Sequence, residues 1–373
     1  MRPICYIFSF FLLAGCANKE TQSVADLWTF DVTQEYPKKE LYIQDIADVE
    51  YIPIETNDSM LWLGRDLMFF DEDYIVAGNI RTGILFHNRA GEAMHSFHRI
   101  GGGPEEYRGL YSSLYDKEKD EVYILSYAEC KFYIYDSKGN YKRSFSTGYG
   151  LDNPVGRFFL CGNEIIGYSK ENTYLRLSQQ TGEVLGKFTF GQDSQFGLSY
   201  YQNGAKITCP TNVFVKDKDG YILSAFASDT TWLLTPEMDL KPIGFRTPSI
   251  TTMEVPTFLL PIKNTPHYYF MYTVKKTTRY PMEMYMLDKK EKQIYWLESG
   301  LKNKDCTNQR IILDMSGPIS EANIPGNISI QTMGASALID AYNDGRLSGK
   351  LKEIAANLKE DDNPVLMIMK FKE

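Results

Sequence analysis

The chain has 373 residues, which is more than one small core needs and enough for one large repeat fold or two ordinary domains. Hydrophobic and charged fractions of 43% and 24% are ordinary for a globular protein, and the aromatic fraction of 14% favours β-structure. The net charge of −8 argues against nucleic acid as a partner, because phosphate binding needs a basic surface.

The first 15 residues are predicted to form a lipoprotein signal peptide. Arg2 supplies a positive charge, residues 4–13 form an apolar core, and small residues lead to Cys16. The apolar core is too short to span a membrane, which takes roughly 20 residues. The alternative is a buried apolar strand with an incidental cysteine, which the position at the start of the chain disfavours.

Leu13-Ala14-Gly15-Cys16 resembles a bacterial lipoprotein signal, in which the cysteine is lipidated and becomes the new N-terminus. The resemblance implies a membrane anchor made of several acyl chains, such as palmitate, on Cys16. Ala17, rather than Asp, at the next position resembles an outer-membrane address, with the periplasmic or cell-surface side left open. Residues 16–25 are then a lipidated tether, and residues 26–373 form the folded domain.

Two stretches at the start of this domain have strand character. Residues 27–32 alternate apolar and polar side chains, and residues 41–56 continue with many β-branched and aromatic residues. Pro53 cannot donate to a β-ladder, so its stretch is predicted to lie at a sheet edge or a strand end.

From residue 67 a pattern of short apolar runs separated by turns recurs. A period of about 40 to 50 residues with four strands is typical of a β-propeller blade. The predicted units are 67–98, 109–146, 156–190, 207–246 and 266–300, and strands after residue 306 supply a sixth.

The second turn of each unit has its own sequence signal. Gly91, Gly139 and Gly182 occupy it in the first three units, where a tight hairpin needs a residue with positive φ. The turns at Met238 and Glu291 lack glycine, so they are predicted to be longer or of another type.

Residues 335–359 break the β pattern. Apolar side chains at spacings of three, four and seven predict amphipathic helix, divided near Gly345. The strand-like residues 363–371 are predicted to pair with the N-terminal strands around residues 27–56 and so remove an exposed edge. The expected fold is all-β: a six-bladed β-propeller with four-stranded blades and a short helical insertion.

Three separated motifs, residues 43–56, 101–107 and 361–366, resemble the six-bladed β-propeller lipoproteins abundant in Gram-negative gut anaerobes. The individual repeats also resemble NHL-type blades. The resemblance covers roughly residues 25–373 and implies the propeller fold. It does not imply an activity, because a shared fold does not carry a shared function.

Four cysteines lie within the folded domain, and none has metal-ligand spacing. They are either buried thiols or disulfide partners, and Cys130 with Cys161 is the first pairing to test. The four are Cys130, Cys161, Cys209 and Cys306.

In a propeller, the connections between blades gather around the mouth of the central channel. The glycine-rich connection 99–108 is therefore expected to place its tip there, and residues 149–153 with Arg157 lie at the matching place one blade on. Candidate ligand-binding residues are Glu105, Glu106, Tyr107, Arg108 and Arg157. The alternatives are turn chemistry for the glycines and ion pairs or a solvated rim for the arginines.

No metal site or catalytic motif is predicted. His87 and His95 flank the Gly91 hairpin and could face each other, but no cysteine completes a site. The many aromatic residues could offer stacking platforms for sugars, although packing between blades explains most of them.

Three functions stay open. The favoured one is a binding or scaffold lipoprotein holding a glycan, peptide or small molecule at the channel face, with no cofactor. The second is a lactonase- or lyase-like propeller enzyme with a divalent metal in the channel, for which Glu105, Glu106, Asp152 and Asn153 are the nearest candidate ligands. The third is a structural subunit of an envelope or uptake complex.

Overall fold

The computed structural model describes residues 27–62, 67–147, 155–169, 172–190, 199–202, 205–208, 214–224, 226–277, 281–311, 313 and 324–373. Within these residues, six β-sheets follow one another as the blades of a propeller, as predicted. The first strand of each complete blade is the innermost one, because these first strands lie next to each other between blades.

The first three blades match the predicted units closely. Blade one contains β3 (Leu67–Phe70), β4 (Tyr74–Asn79), β5 (Gly83–Asn88) and β6 (Ala93–Phe97). Blade two contains β7 (Ser112–Asp116), β8 (Glu121–Ser126), β9 (Lys131–Tyr135) and β10 (Tyr141–Ser146). Blade three contains β11 (Arg157–Cys161), β12 (Glu164–Ser169), β13 (Thr173–Ser178) and β14 (Val184–Thr189).

Blades four and five begin elsewhere than predicted. A separate hairpin, β15 (Ser199–Gln202) and β16 (Ala205–Thr208), precedes blade four, which contains β17 (Phe214–Asp217), β18 (Gly220–Leu223), β19 (Thr230–Leu234) and β20 (Leu240–Thr247). Blade five contains β21 (Thr257–Asn264), β22 (Tyr268–Lys275), β23 (Met282–Asp288) and β24 (Gln293–Leu297). The predicted unit 266–300 missed β21, in which Pro261 adjoins a break in the ladder register.

Blade six closes the ring. Its described strands are β27 (Ile328–Met333), β28 (Val365–Phe371) and β2 (Ala47–Pro53), so the C-terminal strand pairs with an N-terminal strand, as predicted. Pro53 ends β2 at the sheet edge, which is also as predicted.

Another N-terminal strand takes a different place from the predicted one. β1 (Trp28–Asp31) does not join blade six but adds a parallel fifth strand to β20 of blade four. The chain from β1 to β2 therefore runs past blades four and five on its way to blade six, contacting Trp296 of β24 through Lys38.

The helical insertion is present and divided as predicted. α2 (Ala335–Asn343) and α3 (Gly349–Ala355) flank Gly345, which has a φ of 69°. They pack near the hairpin of β25 (Leu301–Asn303) and β26 (Cys306–Ile311), and α1 (Ile43–Ile46) precedes β2.

The glycine turns do two jobs. Gly139 has a φ of 81°, and a Cβ atom there would lie 2.6 Å from Cγ of Phe97 at the end of blade one. The residue thus permits both the left-handed turn and close packing against the preceding blade. Met238 and Lys292 adopt positive φ values of 68° and 55° in the corresponding turns, so the missing glycine did not change the handedness of the turn.

Three of the four domain cysteines are described, and all three are buried free thiols. The Cys130–Cys161 pairing is therefore wrong, and the alternative of buried thiols holds for Cys130, Cys161 and Cys306. Burial raises the pKa of Cys161 to about 11. Cys209 lies outside the described residues.

Candidate functional site

The glycine-rich connection between blades one and two is held by its own backbone and by one buried tyrosine. Tyr107 donates its N–H to the carbonyl of Arg99 and accepts from the N–H of Gly101. Its side chain is fully buried against Tyr133 and Tyr135 of β9. Burial raises the pKa of Tyr107 to about 12, so the phenol stays neutral. This candidate side chain fills the space between the blades and does not reach solvent.

Glu105 and Glu106 lie away from the expected channel mouth. They line a cavity of about 490 Å³ together with Arg99 and the outer turn of blade two, which contains Gly139. The Glu106 carboxylate accepts from the N–H of Gly103 at 2.9 Å and so fixes the turn. The backbone carbonyl of Glu105 accepts from the hydroxyl of Tyr135. The predicted position of these two acids is therefore corrected to the outer side of the blade.

Arg108 lies at the end of the same connection, shortly before β7. Its side chain is 69% exposed, and its Nε lies 3.9 Å from a carboxylate oxygen of Glu129. The same carboxylate accepts the backbone N–H of Arg108 at 3.1 Å and the hydroxyl of Ser126 at 2.7 Å. Glu129 thereby joins the connection between blades to the short 3-10 turn Tyr127–Glu129 at the end of β8.

An exposed tyrosine pair adjoins Arg108. Tyr111 and Tyr127 have exposures of 40% and 36%, and their ring centroids lie 4.7 Å apart. Tyr111 directly precedes β7, the inner strand of blade two, which lies next to β3 and β11 of the neighbouring blades. The pair therefore lies at the channel end of these inner strands. We call Arg108, Tyr111, Tyr127 and Glu129 the tyrosine platform.

Arg157 lies beside this platform. It begins β11, and a Cβ atom on the preceding Gly156 would lie 3.9 Å from Cε1 of Tyr111. Of the five predicted site residues, Arg108 belongs to the platform, and the backbone next to Arg157 lies against Tyr111. The side chain of Ile80, 53% exposed, extends that surface on the side of blade one.

The platform has a fixed negative charge as well as an exposed positive one. Burial acts to raise the pKa of Glu129, but hydrogen bonds from Ser126, the Arg108 N–H and Tyr133 outweigh it, and the pKa is lowered. Burial raises the pKa of Tyr127, with a smaller contribution from Tyr111. The platform therefore combines two phenol rings with a carboxylate and a guanidinium.

Several predicted features fall elsewhere. Residues 149–153, including Asp152 and Asn153, and Cys16 lie outside the described residues. His87 and His95 do not face each other, because His95 pairs with Phe86 and His87 lies on the opposite face against Trp62. Among the described residues, no three His, Cys, Asp or Glu side chains form a group that could hold a metal.

Sequence reasoning missed Tyr111, Tyr127 and Glu129. Tyr111 and Tyr127 directly flank strands of blade two, and Glu129 lies in the turn between β8 and β9. Side chains leave the packed sheet at such positions, and this was the available signal. Nothing in the sequence separates these tyrosines from the buried Tyr107 or Tyr123, because burial depends on packing between blades.

Comparisons with known proteins support the fold. A solved structure of a proposed exported protein from Bacteroides fragilis NCTC 9343 is 14% identical, with a TM-score of 0.65 over 93% of this chain and 100% of that one. A member of the duf4221 family from Bacteroides vulgatus is 10% identical, with a TM-score of 0.50 over 88% of this chain and 99% of that one. At these identities the similarity concerns the fold alone.

In the part of the chain that the structure describes, no helix has the length and apolar character to cross a membrane.

A search of curated proteins finds no match. The family model of a domain of unknown function, DUF4934, matches residues 27–370, and the chain therefore belongs to that family.

Proposed function

We propose that this chain is an exported lipoprotein, anchored in the outer membrane through Cys16, that binds carbohydrate on the tyrosine platform. The observation that carries the proposal is the exposed pair Tyr111 and Tyr127 at the channel side of the inner strands. Most other large aromatic side chains are buried between blades, so an exposed and mutually packed pair is an exception that needs an explanation.

Carbohydrate suits this surface better than an apolar ligand. The C–H faces of a sugar ring pack on aromatic faces, while its hydroxyls need hydrogen-bonding groups at the edge of the rings. Glu129 supplies an acceptor and Arg108, with its side chain 69% exposed, supplies donors. The two side chains form one long salt bridge of 3.9 Å, and that of Arg108 is exposed, so a ligand hydroxyl can engage the guanidinium without leaving a buried charge behind.

Affinity electrophoresis of the full-length chain in gels that contain xylan, starch or polygalacturonate tests this proposal. We expect one of these polysaccharides to retard the protein, and the Tyr111→Ala/Tyr127→Ala variant to lose at least tenfold in affinity. The matched control is Tyr342→Ala, which removes a tyrosine of similar exposure, 37%, from α2. Equal retardation of the wild-type and platform variants would refute the proposal, as would free migration in all three gels.

The anchor has its own test. Cys16→Ser removes the acylated atom, so we expect the chain to leave the membrane fraction while keeping its fold. The measurement is fractionation of cells into membrane and soluble material, with Cys130→Ser as a matched cysteine control. Unchanged membrane association of Cys16→Ser would contradict lipid anchoring and would leave the carbohydrate test unaffected.

A further inference from the structure

A cavity lies between blades four and five, away from the tyrosine platform. It has a volume of about 570 Å³, which is within the range of small-molecule sites. We call it the seam cleft. The apolar part of its lining comes from both blades and from β1: Trp28, Ile222, Leu233, Ile243, Leu287 and Ile294.

A polar group closes one end of the seam cleft. Asn264 of β21 pairs directly with Tyr269 of β22, so both side chains emerge on the same face of blade five. Asn264 donates from Nδ2 to Oδ2 of Asp217 at 2.7 Å, across the seam to blade four. Because a carboxylate only accepts, this bond fixes the amide and directs Oδ1 of Asn264 away from Asp217.

Two buried atoms of this polar group have no partner among the described residues. They are Oδ1 of Asn264, an acceptor, and the hydroxyl of Tyr269, a donor as well as an acceptor. Tyr269 is only 2% exposed, so water in bulk does not satisfy it. Leaving a buried polar atom without a partner destabilises the folded state, and native proteins keep few such atoms.

The charges around the seam cleft are balanced. Asp217 and Asp219 line it together with Lys289 and Lys292. Lys289 donates to the carbonyl of Thr265 and is held near the polar end. Two carboxylates and two ammonium groups together give the lining no net charge that would select an anion or a cation, which favours a neutral polar group.

We propose that the seam cleft binds a neutral amphiphile, an apolar molecule with an alcohol or phenol hydroxyl at one end. One hydroxyl matches both unpartnered atoms, because it donates to Oδ1 of Asn264 and accepts from the hydroxyl of Tyr269. The apolar body lies against Trp28 and the aliphatic walls. This site is independent of the proposed carbohydrate surface.

Titration of the full-length chain in lipid nanodiscs with 2-naphthol tests the proposal by calorimetry. Three matched probes accompany it: 2-methylnaphthalene without a polar end, 2-naphthoate as an anion and 2-naphthylmethylammonium as a cation. We expect 2-naphthol to bind with one site per chain and both charged probes to bind at least tenfold more weakly. Absence of 2-naphthol binding, or tighter binding of either charged probe, overturns the proposal.

The Tyr269→Phe variant tests whether 2-naphthol binds in the seam cleft. We expect this variant to lower the affinity for 2-naphthol about fivefold, because one neutral hydrogen bond is lost. The affinity for 2-methylnaphthalene should not change. Removing a hydroxyl that has no partner leaves the fold intact, so loss of structure does not confuse the result. Tyr295→Phe, on β24 and outside the cleft lining, is the control. An equal effect of Tyr269→Phe on both probes, or no effect, contradicts the assignment.

Discussion

The seam between blades one and two differs from the seam between blades four and five. The first is filled from the chain between its own blades, since Tyr107 packs against Tyr133 and Tyr135 within 30 residues of sequence. The second is completed by β1, whose partner strand β20 lies more than 200 residues later in the chain. The first seam is packed around a buried tyrosine and has a cavity of about 490 Å³ at its outer turn, whereas the cavity of about 570 Å³ in the second lies against β1 itself.

This difference between the two seams distinguishes residues that stabilise the fold from residues that can bind a ligand. A seam filled by a local connection has no alternative occupant, so its residues serve packing even where they resemble a site, as Tyr107 does. Both seams hold a buried tyrosine hydroxyl without a partner among the described residues, Tyr107 in the first and Tyr269 in the second. The second seam also holds the unpartnered Oδ1 of Asn264, and both Asn264 and Tyr269 line its cavity. The candidate ligand sites therefore lie where the repeat is least regular or where side chains leave the blades.

The largest expected effect comes from removing the buried side chain through which β1 packs into the second seam. Phe30 of β1 is 1% exposed and contacts two tyrosines. Its ring centroid lies 5.0 Å from that of Tyr36 and 5.0 Å from that of Tyr285. Phe30→Ala should lower the free energy of unfolding by about 3–4 kcal/mol through lost burial and a new cavity. Thr29→Ala, at an exposed position of the same strand, should change it by less than about 0.5 kcal/mol.

Urea unfolding followed by circular dichroism measures both variants. A small effect of Phe30→Ala would mean that β1 is not needed to complete the seam. The contrast between the two seams would then be lost, because the cavity would not depend on the N-terminal strand.

A smaller effect is expected at the turn that seals the first seam. Gly139→Ala places a Cβ atom at a φ of 81° and 2.6 Å from Cγ of Phe97, so we expect a loss of about 2–3 kcal/mol. Lys292 occupies the corresponding turn of blade five with a φ of 55° and an exposed side chain. Lys292→Gly should therefore be neutral or gain up to about 1 kcal/mol. Thermal unfolding of the two variants gives the comparison, and equal shifts in the same direction would contradict it.

Much of the fold was readable from the sequence because its signals are local. The glycines at 91, 139 and 182, the spacing of the units and the helical period near Leu338 are each set within a few residues. The start of blade five was missed because Pro261 hides the alternation of β21. The place of β1 was also missed, since its pairing with β20 has no local signature.

The candidate sites were less readable for the same reason. Arg108 was found because it follows a glycine-rich connection that must turn at the end of a blade. Asn264 and Asp217 come from different blades, and no pattern in either segment predicts that they hydrogen-bond. Tyr107 and Tyr127 are equivalent as residue types, and only packing between blades buries one and exposes the other.

The seam between blades two and three provides a third case, in which an ion pair accompanies aromatic packing between Phe132 and Phe158. Glu121 is 6% exposed and accepts from Nη2 of Arg143 at 2.8 Å, while the same Nη2 donates to the carbonyl of Gln179 on blade three. Burial alone would raise the pKa of Glu121, but hydrogen bonds from Arg143 and Tyr123 outweigh it and lower the pKa to about 2. The pKa is thus lower in the folded state than its ordinary value of 4.5.

The stabilisation from this pair should therefore be complete above about pH 4.5 and decline as the pH falls toward 2. Glu121→Gln should lower the free energy of unfolding by about 2 kcal/mol at pH 7, and the gap to the wild type should narrow on acidification. Glu298→Gln is the control, since that carboxylate is 55% exposed beside Lys38 and such pairs contribute little. Urea titrations between pH 2.5 and 7 measure the difference in the free energy of unfolding between each variant and the wild type. A gap that stays constant over this range would show that Glu121 acts through packing, and this seam would then resemble the one filled by Tyr107.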